Sequence, residues 1–296
     1  MRINEDGRGE AIGGGGSVRA YFNGEILGSD QVRISMDDRG FLFGDALYEV
    51  VHAYHGNLFA WDLHIERLQE GLAALRYPPV RLEVLKAAAL TLLREESAAE
   101  ASVYMQISRG VQPRSHLFPA ETTPPTVLLW VRPILPIAKE VVAEGVKVVT
   151  VADDRWAKVW IKTVGLLPNV MAKQMAHDRG AFDAVFVRDG MVTESTSANV
   201  FIVQDGQLRT APLNNYILPG VTRHVVLELA QELGLEVNLR PFTVAEMMGA
   251  DEVFLTGTLT EVLPVREIDG VRVRSVGIVS QRLLTAFHER TWAMPN

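Results

Sequence analysis

Apolar positions along the chain alternate between short runs of period two and longer stretches of period near 3.6, and the two periods predict strands and helices in turn. Strands come first. Tyr21-Phe22 and Ile26-Leu27 flank Asn23-Gly24, a dipeptide that accepts the positive φ angles of a tight hairpin. Leu47–Tyr54, rich in β-branched and aromatic residues, predicts a second hairpin, with His55-Gly56-Asn57 as its turn and Leu58-Phe59-Ala60 as its return. Helical spacing then takes over. Ile65, Leu68, Leu72 and Leu75 mark one helix, Pro78-Pro79 breaks the run, and Leu82, Leu85, Ala89, Leu92 and Leu93 mark another. Val103–Ile107 and Val127–Val131 return to strand, which makes this first region α+β.

Pro133 and Pro136, within Arg132–Glu140, interrupt the apolar strands, so a connection between domains is expected there. Beyond it, Val146–Val151, Ala184–Val187 and Val253–Leu255 read as strands, and Asp189-Gly190 and Asp205-Gly206 as hairpin turns. Helices over Pro168–Arg179 and Val221–Leu233 end at Gly180 and Gly234, while Thr243-Val244-Ala245-Glu246 forms a capping box for a short helix stopping at Gly249. The expected organisation is a flexible, Gly-rich extension over 1–17, a small N-terminal α+β domain over 18–135, and a larger, β-rich α/β domain over 136–296.

Composition narrows the function. The 296 residues are 48% hydrophobic, enough to fill sizeable cores. Acidic residues outnumber basic ones 36 to 29 for a net charge of −7, with no basic block that could track a phosphate backbone, which disfavours nucleic acid as a partner. The absence of cysteine excludes disulfides, thiolate metal sites and a Cys nucleophile. The seven His make no HExxH-like pair, so no metal site is expected. No apolar run is long enough to span a bilayer, and Met1–Ser17 is polar, so no membrane partner and a cytoplasmic location are expected.

Among the few lysines, Lys162 stands apart in the apolar segment Val159–Leu167. Facing inward there, it would be desolvated, a setting that favours the neutral, nucleophilic amine; on an edge strand it would face solvent instead. Glu194 opens the small polar run Glu194–Asn199, which suits close approach to a ligand and equally an ordinary turn. Gly220 and Thr222 stand at a helix start, and Thr256-Gly257-Thr258-Leu259-Thr260 is a Thr/Gly-rich strand exit; both could donate hydrogen bonds to phosphate oxygens. Arg114 and His116 lie beyond a strand and Gly110, spaced to converge on one carboxylate or to be solvated loop residues.

Taken together these segments match a known family. Asp38–Val50 (DRGFLFGDALYEV), His64–Leu68, Arg109-Gly110 through Pro113–His116, Arg155-Trp156, Ile161-Lys162, Ala172–His177, Thr193–Phe201 and Leu218–Arg223 occur in the order found in the fold-type IV pyridoxal-phosphate aminotransferases. The sequence resembles that family from about Tyr21 to about Phe287, and the Arg-x-His pair is similar to that of its D-amino acid branch. The resemblance implies a two-domain fold-type IV enzyme, pyridoxal 5′-phosphate as cofactor, and Lys162 as its Schiff-base lysine and proton-transfer group. It implies that Glu194 pairs with the pyridine nitrogen and that Arg67, Ser197, Val221, Thr222 and Thr258 help hold the cofactor. Tyr48, Arg114 and His116 would trap the substrate carboxylate, with residues contributed across a homodimer.

The implied reaction is transamination between a D-amino acid (D-alanine, D-glutamate or D-aspartate) and 2-oxoglutarate or pyruvate. Alternatives on the same scaffold are a branched-chain aminotransferase, an (R)-amine transaminase or a 4-amino-4-deoxychorismate lyase, and outside catalysis a pyridoxal-phosphate carrier. The chain departs from the family at Ala198, at Gly257 and Leu259 around Thr258, and at His52, where the D-amino acid enzymes carry lysine; these bear on side-chain preference and cofactor affinity.

Overall fold

A computed structural model describes residues 18–293, so the extension expected over 1–17 lies outside the described residues. The described chain divides into two compact units: 18–135 with Ile161–Leu166, and Pro136–Trp160 with 167–293. The sequence reading assigned Ile161–Leu166, and with it Lys162, to the second region; the chain instead returns these residues to the first unit.

In the first unit the Asn23-Gly24 turn joins β1 (Arg19–Phe22) to β2 (Glu25–Gly28). A single-turn helix, α1 (Arg39–Phe43), precedes β3 (Ala46–Tyr54) and the two-residue β4 (Asn57–Leu58). Helices α2 (Trp61–Ala74) and α3 (Glu83–Glu96) follow, then β5 (Glu100–Ser108) and β6 (Thr126–Pro133). The strands form one antiparallel sheet in the order β2-β1-β6-β5-β3-β4. The expected return strand is therefore vestigial. β3 pairs along its whole length with β5, because the long apolar match between them outweighs a short local hairpin. Strand alternation decides which face is covered: Leu47, Val51, Val103, Met105, Ile107, Leu129 and Val131 are buried on the side where α2 packs on β3 and α3 on β6. Tyr48, Tyr104, Gln106 and Trp130 point the other way and are half-buried.

The 161–166 segment is not a strand. It lies beside the start of β3 through an isolated Leu47–Thr163 bridge, with the Tyr48 N–H donating to the Lys162 carbonyl (3.1 Å) and the Val164 N–H to the Ala46 carbonyl (3.1 Å).

The second unit opens with α4 (Lys139–Glu144), β7 (Val146–Ala152), α5 (Leu167–Asp178), β8 (Asp183–Arg188) and β9 (Met191–Ser195). It continues through β10 (Asn199–Gln204), β11 (Gln207–Thr210), α6 (Val221–Glu232), β12 (Val237–Leu239) and α7 (Val244–Gly249). β13 (Glu252–Gly257), β14 (Glu261–Ile268), β15 (Val271–Arg272) and α8 (Ile278–Trp292) complete it. The order β10-β13-β14-β7-β8-β9 closes on itself because β9 also pairs with β10, Glu194 opposite Asn199. The result is a small barrel of mixed strand direction. Its core draws on every strand of the ring, among them Val200 and Ile202, Val253 and Leu255, Leu263 and Val265, Val148, Val185 and Val192. Outside it, α5 sets Ala172 and Ala176 against Val149, Ala184 and Phe186, and α6 and α8 pack on β13 and β14. The capping box is present as expected: Thr243 Oγ1 accepts from the Glu246 N–H and Glu246 Oε2 from the Thr243 N–H.

Candidate active site

In the first unit, the irregular path of 161–166 leaves Lys162 half-buried, with Nζ 4.2 Å from the centre of the Tyr48 ring. The Tyr48 ring continues into an aromatic row across the open sheet face, stacking on Tyr104 at 5.6 Å, which stacks on Trp130 at 4.0 Å. Burial raises the Tyr104 hydroxyl to about 12, so it stays protonated and donates to Gln106 Oε1 at 2.8 Å.

Arg67 sits behind the opposite sheet face. Its Nε and Nη2 donate to Glu49 Oε1 and Oε2, each at 2.7 Å, and the same carboxylate accepts from His64 Nδ1 at 2.8 Å. All three side chains are buried. Burial pushes the Glu49 carboxyl up, but the Arg67 charge and the hydrogen bonds from His64 and Arg67 outweigh it and hold the group at about 2. Burial first, and the Arg67 and Lys162 charges with it, keep His64 below its ordinary value, so the neutral ring donates through Nδ1–H. Glu49 and His64 carried no role in the sequence reading. The signal was there: Glu49 occupies an inward register position between Leu47 and Val51, and His64 and Arg67 are three apart on one helix face.

Arg114 and His116 lie on the exposed segment after Gly110, both against Phe43 at the end of α1: the Arg114 guanidinium is 5.3 Å and the His116 ring 5.5 Å from the Phe43 ring centre.

The second unit holds the remaining candidates at one end of the barrel. Glu194 is 5% exposed, and its carboxylate is gripped on both oxygens. Oε1 accepts from Arg155 Nη1 at 2.6 Å; Oε2 accepts from the Leu218 N–H at 2.8 Å and Asn199 Nδ2 at 3.2 Å. Arg155 is itself held bidentately by Asp153, at 2.9 Å from both Nε and Nη2, and Asp153 accepts further from Thr193 Oγ1 (2.9 Å) and Arg188 Nη2 (3.2 Å). Burial raises the Asp153 carboxyl, but hydrogen bonds from Arg155, its charge, and those from Thr193 and Arg188 bring it below its ordinary value. A buried Asp153–Arg155–Glu194 chain thus fixes the Glu194 carboxylate as an anion. Arg155 lies in a segment that resembles the family, but nothing in the local spacing of Asp153, Arg155 and Asn199 points to this network.

Around Glu194 three turns meet. The Ser195–Ala198 turn leads into Asn199, whose amide also donates to the Leu218 carbonyl at 3.0 Å, just before Gly220 caps α6. A Cβ on Gly220 would lie 2.0 Å from Asn199 Oδ1, and one on Gly257 would lie 2.6 Å from Thr260 Oγ1 and 3.2 Å from the Ser197 carbonyl, so glycine is required at both contacts. Ser197 is exposed, whereas Val221 and Thr222 are buried in the first turn of α6. Thr258 stands in the β13–β14 turn between Thr256 and Thr260, whose hydroxyls are buried with no hydrogen-bond partner among the described residues. Such orphaned hydroxyls beside a helix start suit an anion with several acceptor oxygens.

Residues 46–268 match the family described as amino-transferase class IV. The D-alanine aminotransferase of Bacillus licheniformis is 39% identical over 259 residues, covering 87% of this chain and 91% of that protein. That of Staphylococcus epidermidis is 34% identical over 278 residues, 92% of this chain and 97% of that protein. Among solved structures, the branched-chain amino acid aminotransferase of Escherichia coli superposes with a TM-score of 0.86 at 25% identity, covering 93% of this chain and 94% of that one. On a match that spans most of the chain, and on relatives aligned along nearly their full length, this protein belongs to the class IV aminotransferases, which work with pyridoxal 5′-phosphate.

Proposed function

We propose that this enzyme transfers the amino group of a D-amino acid, D-alanine, D-glutamate or D-aspartate, to 2-oxoglutarate or pyruvate, acting as a homodimer in the cytoplasm. The observation that carries the reading is the exposed Arg114–His116 pair, a guanidinium and an imidazole presented side by side on Phe43 as receptors for a carboxylate. Relatives named D-alanine aminotransferase support the substrate class. The dimer is supported by an apolar stripe on α5, where Leu167, Val170 and Met171 are 69%, 61% and 64% exposed. Among the described residues no helix is long and apolar enough to cross a membrane.

The second unit fits the cofactor. The orphaned hydroxyls of Thr256 and Thr260, the α6 start at Val221 and Thr222, and Thr258 would supply donors for its phosphate, with Ser197 and Arg67 as the further cofactor residues that the family resemblance implies. Glu194, kept anionic by Arg155, Asn199 and the Leu218 N–H, would hold a proton on the pyridine nitrogen. The cofactor, when bound, supplies the sink for the electrons released at the substrate Cα. The remaining work belongs to the chain. Lys162 would hold the cofactor and would take the proton from the substrate Cα. Tyr48, under Lys162 Nζ, and Arg114 and His116 orient the carboxylate, and this orientation selects which Cα hydrogen Lys162 meets.

The test is a half-reaction: cofactor-loaded protein mixed separately with D-alanine, L-leucine and (R)-1-phenylethylamine, followed by the cofactor spectrum. Conversion is expected with D-alanine and is lost in Lys162→Ala. The likeness to a branched-chain aminotransferase supports a second reading, and faster conversion with L-leucine would establish it in place of the first. Wild-type turnover in Lys162→Ala would remove the assignment of the lysine.

A further inference from the structure

Arg114 and His116 sit on a segment with little to hold it. Residues 112–120 contain no helix or strand, and most of them are exposed. Long side chains on such a segment sample many rotamers, yet a carboxylate receptor works only if its donors are fixed before the ligand arrives. Something must supply the order that regular structure does not.

α1 does so from beneath. It is short but pinned at both ends. Asp38 caps it through the Gly40 N–H (2.8 Å) and also accepts from Ser108 Oγ (2.8 Å) and Thr126 Oγ1 (2.7 Å) on β5 and β6. After its C-terminus, Asp45 Oδ2 accepts from both Arg39 Nε and Arg109 Nε at 2.8 Å. The Arg39 guanidinium, 4% exposed at residue level, then turns to the Arg114 segment: Nη1 donates to the Ser115 carbonyl at 2.7 Å and the Leu117 carbonyl at 3.1 Å. Those carbonyls bracket His116. Phe43, four residues on, places its ring 4.9 Å from the Arg39 guanidinium, 5.3 Å from that of Arg114 and 5.5 Å from the His116 ring. One half-buried phenyl group thus meets both proposed carboxylate receptors and the arginine that fixes the backbone between them.

We infer that Phe43 is a positioning residue for the substrate-carboxylate receptor, with its ring as the common platform for Arg114 and His116 while Arg39 fixes the backbone that carries them; this rests on the reading of Arg114 and His116 as that receptor. The ring's negative face attracts a guanidinium, and the His116 imidazole packs against the ring tilted by 54°, an aromatic contact that an aliphatic side chain of similar bulk does not offer.

Phe43→Leu and Phe43→Tyr test it in the cofactor-loaded enzyme, beside Arg114→Ala, with three readouts: KM and kcat for D-alanine, thermal midpoint, and amide hydrogen exchange across 113–118. Phe43→Leu is expected to raise KM for D-alanine about three- to tenfold, the size of a lost cation–π contact, with kcat and thermal midpoint little changed. Exchange over 113–118 should quicken in Phe43→Leu, and Phe43→Tyr, which keeps the ring, should restore both. A KM unchanged in Phe43→Leu while Arg114→Ala raises it would overturn the platform and leave the receptor standing. A thermal midpoint lowered equally by both Phe43 variants, with no change in exchange over 113–118, would make Phe43 a packing residue only. An unchanged KM in Arg114→Ala would overturn the receptor, and this inference with it.

Discussion

Replacing Arg155 with methionine removes a guanidinium from between two carboxylates while keeping most of the side chain's length. In the native protein its side chain is 4% exposed, and those of Asp153 and Glu194 are 0% and 7% exposed. Without it, Asp153 keeps Thr193 and Arg188, and Glu194 keeps Asn199 and the Leu218 N–H, but two buried anions face each other without the charge that separated them. Breaking a buried pair from one side costs roughly 3–5 kcal/mol, and here the loss falls on both partners, so the upper part of that range is expected. In a protein of this size that lowers the thermal midpoint by about 8–20 °C. The pH dependence makes the reasoning specific. Asp153 is held below its ordinary value, so its share of the stability is present above the ordinary carboxylate range and is lost as pH falls through the lower native value. The gap between wild type and Arg155→Met should be widest near pH 7 and close as acid neutralises Asp153. Thermal unfolding of both proteins from pH 7 to well below the ordinary carboxylate value of 3.8, with Asp153→Asn added to Arg155→Met as a partial rescue, measures this. A loss under about 1 kcal/mol, or a gap that does not change with pH, would refute the claim that Arg155 compensates buried charge.

How much of this was legible in the sequence depends on how local each cause is. The Asn23-Gly24, Asp189-Gly190 and Asp205-Gly206 turns and the Thr243–Glu246 capping box are decided by neighbouring residues, and all stand where the pattern places them. Pairing partners are decided by residues far apart, and there the pattern is silent: β3 takes β5 in preference to the adjacent β4, and β9 closes a ring with β10. α8 escaped notice because its buried face reads Ser280, Leu283, Phe287, Thr291, an apolar stripe with polar ends, and Pro264 masked β14, whose pairing with β7 begins only at Val265. The candidate residues were found one by one through their chemistry. What holds them was not, because an ion pair such as Arg155–Glu194 joins positions 39 apart, and only the folded barrel brings them within 2.6 Å.

Two further tests address the two units separately. Gly220→Ala would drive a methyl group into Asn199 Oδ1, 2.0 Å from the ideal Cβ, and push away the amide that holds Glu194; we expect a loss of about 1–3 kcal/mol in unfolding free energy and weaker cofactor retention on dialysis, and full retention would show that Asn199 does not matter to Glu194. The last concerns acid. Glu49 falls from an ordinary 4.5 to about 2, so it contributes about 3 kcal/mol, present above pH 4.5 and lost as pH falls from there toward 2. His64 acts in the same direction. Its value is also lowered, so the unfolded chain takes up a proton below pH 6.5 that the native ring refuses, and stability begins to fall there. Glu49→Gln keeps the shape but removes the anion, leaving Arg67 buried without its counter-charge, so the variant should be several kcal/mol less stable at pH 7. Its remaining stability should fall less steeply than that of the wild type between pH 4.5 and 2, because no carboxylate is left at position 49 to protonate. Denaturant titrations at pH 7, 5 and 3 distinguish the cases: curves that run parallel through the acid range would mean that Glu49 is not held ionised by Arg67 and His64, and that the charge at the back of the Lys162 sheet lies elsewhere.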